Sequence, residues 1–401
     1  MTRRLRVAQV VTRFMAGAGG VALRGALALD RDRYDITFLT GGGDRLIDEA
    51  REAGFEVVML AHLGSDIAPA QERRGVAELV ARLHAGRFDV VHTHSAKAGA
   101  LGRVAARRVG VARIVHTYHG FPFHQFQSPL RRAVYVGIER ALARVTNQFL
   151  AVGPAVAAEA VRRRIVPPES VRTIGVAVDT AARPPQAMAR AEARRLLGVP
   201  PGMRVVGTVG RLDYQKAPDD FVAALARLDA DDVFGVWIGD GPLRASTEKL
   251  AARRGLAGRM CFTGQRSDVP MLLPGLDVFA MASRYEGLPC AVVEAMVAGL
   301  PVVATAVNSV PDIVVAGQTG LLVPPGRPEL LSRALRHLLD NPALAAQLGS
   351  AGRTHLGAEL APAALGQILD ETYRPPPPAD VRRAPPPPGN TLPPPPELVR
   401  P

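Results

Sequence analysis

Cysteine is almost missing from this chain of 401 residues: Cys261 and Cys290 are the only two. Two thiols build neither a disulfide framework nor a metal cluster, and so sparing a use fits a reducing cytoplasm. No apolar run approaches the roughly 18 residues that a membrane-crossing helix needs. The basic start, Met1–Arg13, has a short apolar core closed by Arg13, and reads as a first strand, not as a signal peptide. Lysine is scarce too, with Lys97, Lys216 and Lys249 the three lysines among 49 basic residues. That arginine bias reads as genome composition, which weakens any partner argument drawn from the net charge of +12. A lysine kept against the bias is more informative. There is no Asp-x-Asp at a strand end to hold a divalent cation. The glycine-rich turn Ala16-Gly-Ala-Gly-Gly20 lacks the full Gly-x-Gly-x-x-Gly spacing, and with it the signature of a nicotinamide oxidoreductase.

What is present is long enough for two cores, and 47% of it is hydrophobic, as in a globular protein. Apolar β-type runs alternate with helical patterns. Strands are expected at 6–11, 34–39, 56–60, 89–94, 113–117, 147–152 and 171–176, with helices near 21–29, 44–53, 72–85, 99–109, 129–144 and 154–164 between them. Such βα alternation predicts a parallel sheet covered on both faces, with ligands at the carboxyl ends of its strands. Around 178–201 the composition shifts to proline, flanking a short Ala/Arg helix, and an interdomain linker is expected there. A second series follows, with strands at 205–209, 233–238, 260–263, 278–282, 302–305 and 321–323, and helices near 218–228, 243–254, 289–298 and 328–339. The expected fold class is therefore α/β, with two Rossmann-like parallel-sheet domains facing a cleft. The domains are drawn at 1–180 and 181–360, followed by a C-terminal helix over 361–374. Residues 375–401 carry 13 of the 35 prolines, in three tetraproline runs, and read as an extended tail without a core.

The chemistry gathers at the ends of the second set of strands. Glu286 precedes and Glu294 lies within a helix led by Pro289 and ended by Gly299. Eight helical positions correspond to roughly 12 Å of rise. That is too far for a glycosidase carboxylate pair, which sits about 5–9.5 Å apart. It suits the two ends of one elongated ligand gripped near a helix N-terminus. Arg211 and Lys216 follow another strand, a planar fork and a point charge of the kind that holds a diphosphate. Gly239 opens a tight turn, Gly239-Asp-Gly-Pro242, at the same edge.

The order Gly210-Arg211 … Lys216, Gly239-Asp-Gly-Pro242, Ser283-x-x-Glu-Gly … Glu294-Ala-Met, Gly299-x-Pro301 and Thr319-Gly-Leu-Leu-Val323 resembles family 4 glycosyltransferases of the GT-B fold. The resemblance spans about 5–370. The runs His94–Arg103 and His116–Pro122 are similar to members that build exopolysaccharide, capsule or O-antigen. The resemblance implies a nucleotide-diphosphate sugar as donor, a lipid-linked or glycan acceptor, and retention of anomeric configuration. It implies no cofactor beyond the donor substrate and no nucleic acid as partner. By position, it places Glu286 at the donor sugar hydroxyls, Glu294 at the ribose, and Arg211 and Lys216 at the diphosphate. His119 matches the N-domain histidine that reaches the transferred sugar, and Gly19 and Gly20 lie beside the phosphates. Backbone amides around Gly287 and Leu288 are expected to meet developing negative charge. Two departures from the pattern stand out: the run Asn308-Ser-Val-Pro-Asp312 replaces the Gly-Gly pair before Pro-Glu-Ile that many members have near the sugar site, so donor identity does not carry over, and Ala217 stands where glycine is frequent after the lysine. The second departure reads as harmless.

Other residues carry weaker signals. His92-x-His94 has the look of a metal pair, but the two side chains are expected on opposite faces of a strand. Lys97, at a helix start, is a candidate for acceptor phosphate or a plain solvated residue. His337 and His355 are expected in surface helix or loop. The stretch Pro129–Arg144 mixes Leu130, Val134, Ile138 and Leu142 with Arg131, Arg132, Arg140 and Arg144, which suits either docking to an anionic membrane from the cytoplasmic side or packing in the core. A catalytically silent scaffold subunit of a polysaccharide assembly complex is the competing reading, and the intact Arg211, Lys216, Glu286 and Glu294 argue against it.

Overall fold

The structure is a computed structural model and describes residues 3–15, 17–64, 68–178 and 187–374. Its first half runs β1 (Leu5–Val11), α1 (Ala18–Leu27), β2 (Tyr34–Thr40), α2 (Leu46–Glu52), β3 (Glu56–Met59), α3 (Pro69–Gly86), β4 (Val90–His94), α4 (Ala96–Val109), β5 (Arg113–Tyr118), α5 (Pro129–Ala143), β6 (Gln148–Ala151), α6 (Pro154–Arg162) and β7 (Val171–Thr173). The second half runs α7 (Ala187–Leu196), β8 (Arg204–Val209), α8 (Pro218–Ala226), β9 (Val233–Ile238), α9 (Arg244–Arg253), β10 (Met260–Gly264), α10 (Val269–Leu272), β11 (Val278–Met281), α11 (Cys290–Val297), β12 (Val302–Thr305), α12 (Val310–Ile313), β13 (Leu321–Val323), α13 (Pro328–Asp340), α14 (Pro342–His355) and α15 (Pro362–Tyr373).

Two parallel sheets result, ordered β3-β2-β1-β4-β5-β6-β7 and β10-β9-β8-β11-β12-β13. Covered on both faces, the central strands β4 and β9 are buried at every residue; β9 is apolar throughout, whereas β4 carries His92, Thr93 and His94 inside. Strand order reverses between β1 and β4 and again between β8 and β11, and those reversals are where an α/β sheet opens a crevice at its carboxyl edge. Register brings the loops together. Val11 pairs with His94 and His94 with Thr117 in the first sheet, while Val209 pairs with Ile238 and Met281 with Ala304 in the second. The largest apolar cluster is continuous across both halves, from Val7 and Phe149 to Phe279, Val292 and Leu369.

All the expected strands form, most within a residue or two of their expected ends. The exception is β7, which stops at Thr173 because it is an edge strand and the chain then turns inward, burying Ile174 and Val176. Helix starts shift more: α1, α3 and α4 each begin about a turn early, which puts Gly19 and Gly20 inside the first turn of α1. Asn341-Pro342, a natural stop for α13, also starts α14, because proline at a first helical position gives up no bonded amide. His355 is the last residue of that helix. Part of the expected linker, 179–186, and the whole tail, 375–401, lie outside the described residues.

The C-terminal helix belongs to the first domain. Tyr34 Oη donates to Asp370 Oδ1 at 2.8 Å, and a Cβ on Gly25 would meet Leu369 at 2.7 Å, so α1 and α15 approach on a glycine. On the other flank, α5 is pinned by one buried ion pair. Arg103 of α4 reaches Glu139 at 2.8 Å, and Tyr118 Oη donates to the same carboxylate at 3.2 Å. With Glu139 and Leu142 inward, Leu130, Val134 and Ile138 stand outward, 77%, 54% and 45% exposed. The core-packing alternative for those three side chains is thus overturned.

Candidate active site in the interdomain cleft

The loop after β11 places Glu286 with its carboxylate almost sealed, 5% exposed, against the loop after β8. Lys216 Nζ lies 2.5 Å from Glu286 Oε1, and Gln215 Nε2 donates to Oε2 at 3.2 Å. The Glu286 amide donates to Asn308 Oδ1 at 2.9 Å, which ties the loop after β12 into the same cluster. Lys216 is itself oriented by Asp213, whose Oδ1 accepts its amide at 3.1 Å while Oδ2 accepts Arg211 Nε at 2.6 Å. One aspartate therefore couples the two cations expected at a diphosphate. The Arg211 side chain is otherwise exposed and reaches into solvent.

The glycines of this edge are needed for close approach. A Cβ on Gly239 would sit 2.1 Å from the Gly210 carbonyl oxygen, and one on Gly241 2.4 Å from that of Leu212. Ala217, just after the lysine, is left-handed, with φ 49° and ψ 57°. Glycine adopts that conformation freely and alanine at a cost of roughly 1–2 kcal/mol, so the departure from the family pattern carries strain.

Only the second glutamate lies on α11, which begins at Cys290. The helical rise therefore does not apply from Glu286 to Pro289, and the two carboxylates stand on different elements. Glu294 is half-buried, and burial pushes its carboxyl up, opposed by Arg24 and then Arg45 of the facing domain. Arg24 Nη2 also lies 3.9 Å from the Cys290 thiol. Gly20 is beside this arginine, its Cβ position 3.4 Å from Arg24 Nη2, and Gly19 packs on Phe14. The glycine turn thus faces the start of α11 through Arg24, a residue that the sequence reading passed over.

His119 follows β5 and closes the cleft from the first domain. A Cβ on Gly287 would lie 1.9 Å from the His119 carbonyl oxygen, so the two expected site residues meet backbone to backbone. Leu288 next to it is buried. Burial pushes the His119 imidazole down to about 3, which keeps the ring neutral. Beside this contact lies a cavity of about 280 Å³, lined among others by Phe121, His124, Arg132, Tyr285, Glu286 and Asn308. His124 stacks on Tyr285 across the domain boundary, with ring centroids 4.2 Å apart and planes 10° apart. Asp312 bridges the domains as well, its Oδ2 accepting the Ala155 amide at 3.1 Å.

Two expectations need correction. His92 and His94 share one face of β4, as residues two apart on a strand must, and their ring centroids are 4.2 Å apart. Neither is arranged for metal: His92 bonds Tyr373 and Thr117, and His94 bonds His119 and Gln9, so all four ring nitrogens are engaged. Lys97 ties α4 to α3 through Glu72 at 2.8 Å with its side chain 13% exposed, so it is not a plain solvated residue. Of the functional groups missed, Asp213, Gln215 and Asn308 are polar residues in loops at strand ends, where such a signal exists but singles out no partner.

Two facing Rossmann-like domains with their polar strand ends turned to a shared cleft define the GT-B class of glycosyltransferases. The solved structure of Anabaena HepE in complex with UDP and glucose has the same fold, with a TM-score of 0.80 at 20% identity over 92% of this chain and 99% of that one. The model of Glycosyltransferase Family 4 matches residues 15–182, and that of Glycosyl transferases group 1 matches 189–355. The 2-deoxystreptamine glucosyltransferase of Streptomyces kanamyceticus is 35% identical over 274 residues, 64% of this chain and 69% of that protein. The UDP-Gal:alpha-D-GlcNAc-diphosphoundecaprenol alpha-1,3-galactosyltransferase of Escherichia coli is 29% identical over 300 residues, 73% and 77% of the two chains. The chain belongs to the family 4 glycosyltransferases and is an enzyme of the hexosyltransferase type.

Proposed function

We propose that the cleft holds a nucleoside-diphosphate hexose and transfers the sugar, with retention and without a metal ion, to a hydroxyl of a lipid-linked or glycan acceptor in cell-surface polysaccharide synthesis. The observation that carries the donor half is the Lys216–Glu286 pair, 2.5 Å apart at the strand ends and directly before α11. A cation and a carboxylate in contact match the junction of sugar and diphosphate, where one group meets phosphate oxygens and the other sugar hydroxyls. Glu294, farther along α11, takes the ribose. Among the relatives, the Anabaena protein was solved with UDP and glucose, and the Escherichia coli enzyme is named for a diphosphoundecaprenol-linked acceptor.

In the reaction the bond from the anomeric carbon to the diphosphate oxygen breaks, and a bond from the acceptor oxygen forms on the same face. The acceptor proton passes to an oxygen of the departing diphosphate, so charge and atoms balance without a protein nucleophile. Arg211, Lys216 and the amides of Gly287 and Leu288 offset the charge that builds on the leaving group. His119, neutral, meets the sugar from the opposite wall. Among the described residues no three His, Cys, Asp or Glu side chains are gathered to hold a metal ion. No described helix is long and apolar enough to cross a membrane, so a lipid-linked acceptor is met at the bilayer surface, where the outward face of α5 serves as the dock.

The test is a screen of UDP- and GDP-linked hexoses for transfer or hydrolysis, with and without EDTA. Turnover with one donor, unaffected by EDTA and abolished in Glu286→Ala, is expected. Near-normal turnover of Glu286→Ala would overturn the site.

A further inference from the structure

His119 is the end of a continuous buried chain of hydrogen bonds that begins on the C-terminal helix. Its Nε2 lies 2.9 Å from His94 Nδ1, and His94 Nε2 lies 2.7 Å from Gln9 Oε1. Gln9 Nε2 donates to Tyr373 Oη at 2.8 Å, Tyr373 Oη lies 2.6 Å from His92 Nδ1, and His92 Nε2 lies 2.7 Å from Thr117 Oγ1. Gln9, His92, His94, Thr117 and Tyr373 are each at most 2% exposed, so no solvent enters to satisfy a mismatched end.

In such a chain the direction of each bond is set by the orientation of the Gln9 amide, here with Nε2 toward Tyr373 and Oε1 toward His94; turned over, the amide would reverse every bond. Its nitrogen can only donate, so Tyr373 Oη accepts there and must turn its proton to His92 Nδ1. Its oxygen can only accept, so His94 Nε2 carries a proton. Burial holds His94 neutral, its pKa far below the usual histidine value. A neutral His94 protonated at Nε2 has a bare Nδ1, and the facing His119 Nε2 must donate to it. His119 is neutral too, which leaves its Nδ1 a bare acceptor, and no described residue bonds that atom.

We propose that Tyr373 and Gln9, acting through His94, lock His119 in its Nε2–H tautomer, so that Nδ1 accepts a hydrogen bond from a hydroxyl of the donor hexose. The inference rests on the reading of His119 as a sugar contact. Gln9, His94 and Tyr373 are positioning residues: they touch no substrate and decide which nitrogen of His119 is bare. It gives α15 a function as well, because the helix that completes the first domain brings Tyr373 to the relay. A sugar hydroxyl that approaches the wall is then met by a lone pair and not by a competing N–H.

The experiment is long-range 1H–15N correlation on full-length protein labelled with 15N-histidine, which separates the two neutral tautomers by the pattern of their ring couplings. His119 and His94 are expected as Nε2–H tautomers and His92 likewise, all without added ligand. A Nδ1–H pattern at His119 overturns the inference and leaves the cleft assignment untouched. In Tyr373→Phe the Gln9 amide loses its acceptor and is free to turn over, so the His119 pattern is expected to become mixed. Transfer is expected to fall about tenfold in kcat, the worth of one hydrogen bond of roughly 1.4 kcal/mol, while affinity for UDP or GDP alone is unchanged. An unshifted His119 pattern in a folded Tyr373→Phe removes the tyrosine from the relay. His119→Ala tests the underlying reading separately: turnover at the wild-type rate would sink the sugar contact even with the tautomer as stated.

Discussion

Gly287 faces the main-chain carbonyl of His119 so closely that an added Cβ would stand 1.9 Å from that oxygen. The contact joins the lead into α11 to the loop after β5, and so joins the two domains at the candidate site. Gly287→Ala can be accommodated only if the domains part at this point. A displacement of about 1 Å near reacting atoms costs on the order of 100-fold in rate. The expected result is a hundredfold loss of transfer with an unchanged far-ultraviolet circular dichroism spectrum. Wild-type turnover would mean that the closed approach is not needed.

The Lys216–Glu286 pair allows stability and chemistry to be separated. Lys216→Ala leaves a carboxylate that is 5% exposed without its cation. The lysine is only partly buried, so the penalty is discounted to about 1–3 kcal/mol, seen as a lowered urea midpoint. Adding Glu286→Ala removes the stranded charge and should recover most of that loss. Activity should not return in the double variant. A double variant as active as the wild type would make the pair purely structural.

The strands of both sheets were legible because buried parallel strands are built on short apolar runs, and the motif residues followed from strand ends. Glu286, Lys216, Gly287 and His119 do converge in the cleft. Other features were out of reach. Gln9 lies 364 positions from Tyr373 and reads as one polar residue in an apolar strand, so nothing local shows its partner. Asp213 orients both Arg211 and Lys216, yet a single aspartate in a loop after a strand carries no signal of that in the sequence. Helix starts were misplaced where glycine and alanine in a first turn give no apolar period. No helix was expected over Pro342–His355, because a proline's missing amide serves a stop and a start equally well.

Three buried histidines, His92, His94 and His116, and the partly buried His119 give the first domain a specific acid sensitivity. Burial lowers His92 and His119 to about 3, and lowers His94 and His116 well below the ordinary value. In the unfolded chain each titrates near 6.5, so as pH falls the unfolded state binds protons first. Their stabilising effect is whole above about pH 6.5 and is lost as pH falls toward 3. Each histidine contributes a slope of roughly 1.4 kcal/mol per pH unit within that window. Melting temperature is expected to drop steeply from pH 6.5 to 5, above the range where most carboxylates titrate. A flat profile over that interval would show that these rings take up protons without unfolding.

Ala217 holds a left-handed backbone directly after Lys216. Ala217→Gly removes the steric cost, part of which is returned as unfolded-state entropy, so a net gain of about 0.5–1 kcal/mol is expected. Chemical denaturation reads it directly. A loss of stability would show that the alanine methyl packs well enough to outweigh its strain.

The outer face of α5 makes the membrane reading quantitative. Its one acidic residue, Glu139, is turned inward onto Arg103, so Arg131, Arg132, Arg140 and Arg144 have no acid of their own helix to neutralise them outside. Leu130, Val134 and Ile138 align on that side with Phe126 before them, and all four are large apolar groups left exposed. Arg132 also lines the cavity beside Glu286, so a bilayer against this face would lie next to the site of transfer. Each arginine near an anionic surface contributes about 1 kcal/mol, and salt screens it over roughly 8–10 Å. Sedimentation with phosphatidylglycerol vesicles is therefore expected, weakening at high salt, with little binding to phosphatidylcholine. Neutralising Arg131 and Arg132 together should lower vesicle affinity by about 30-fold, and serine at Leu130, Val134 and Ile138 should lower it further without unfolding the domain. Equal binding by both variants and the wild type would remove α5 as the dock and leave the acceptor to reach the cleft from solution.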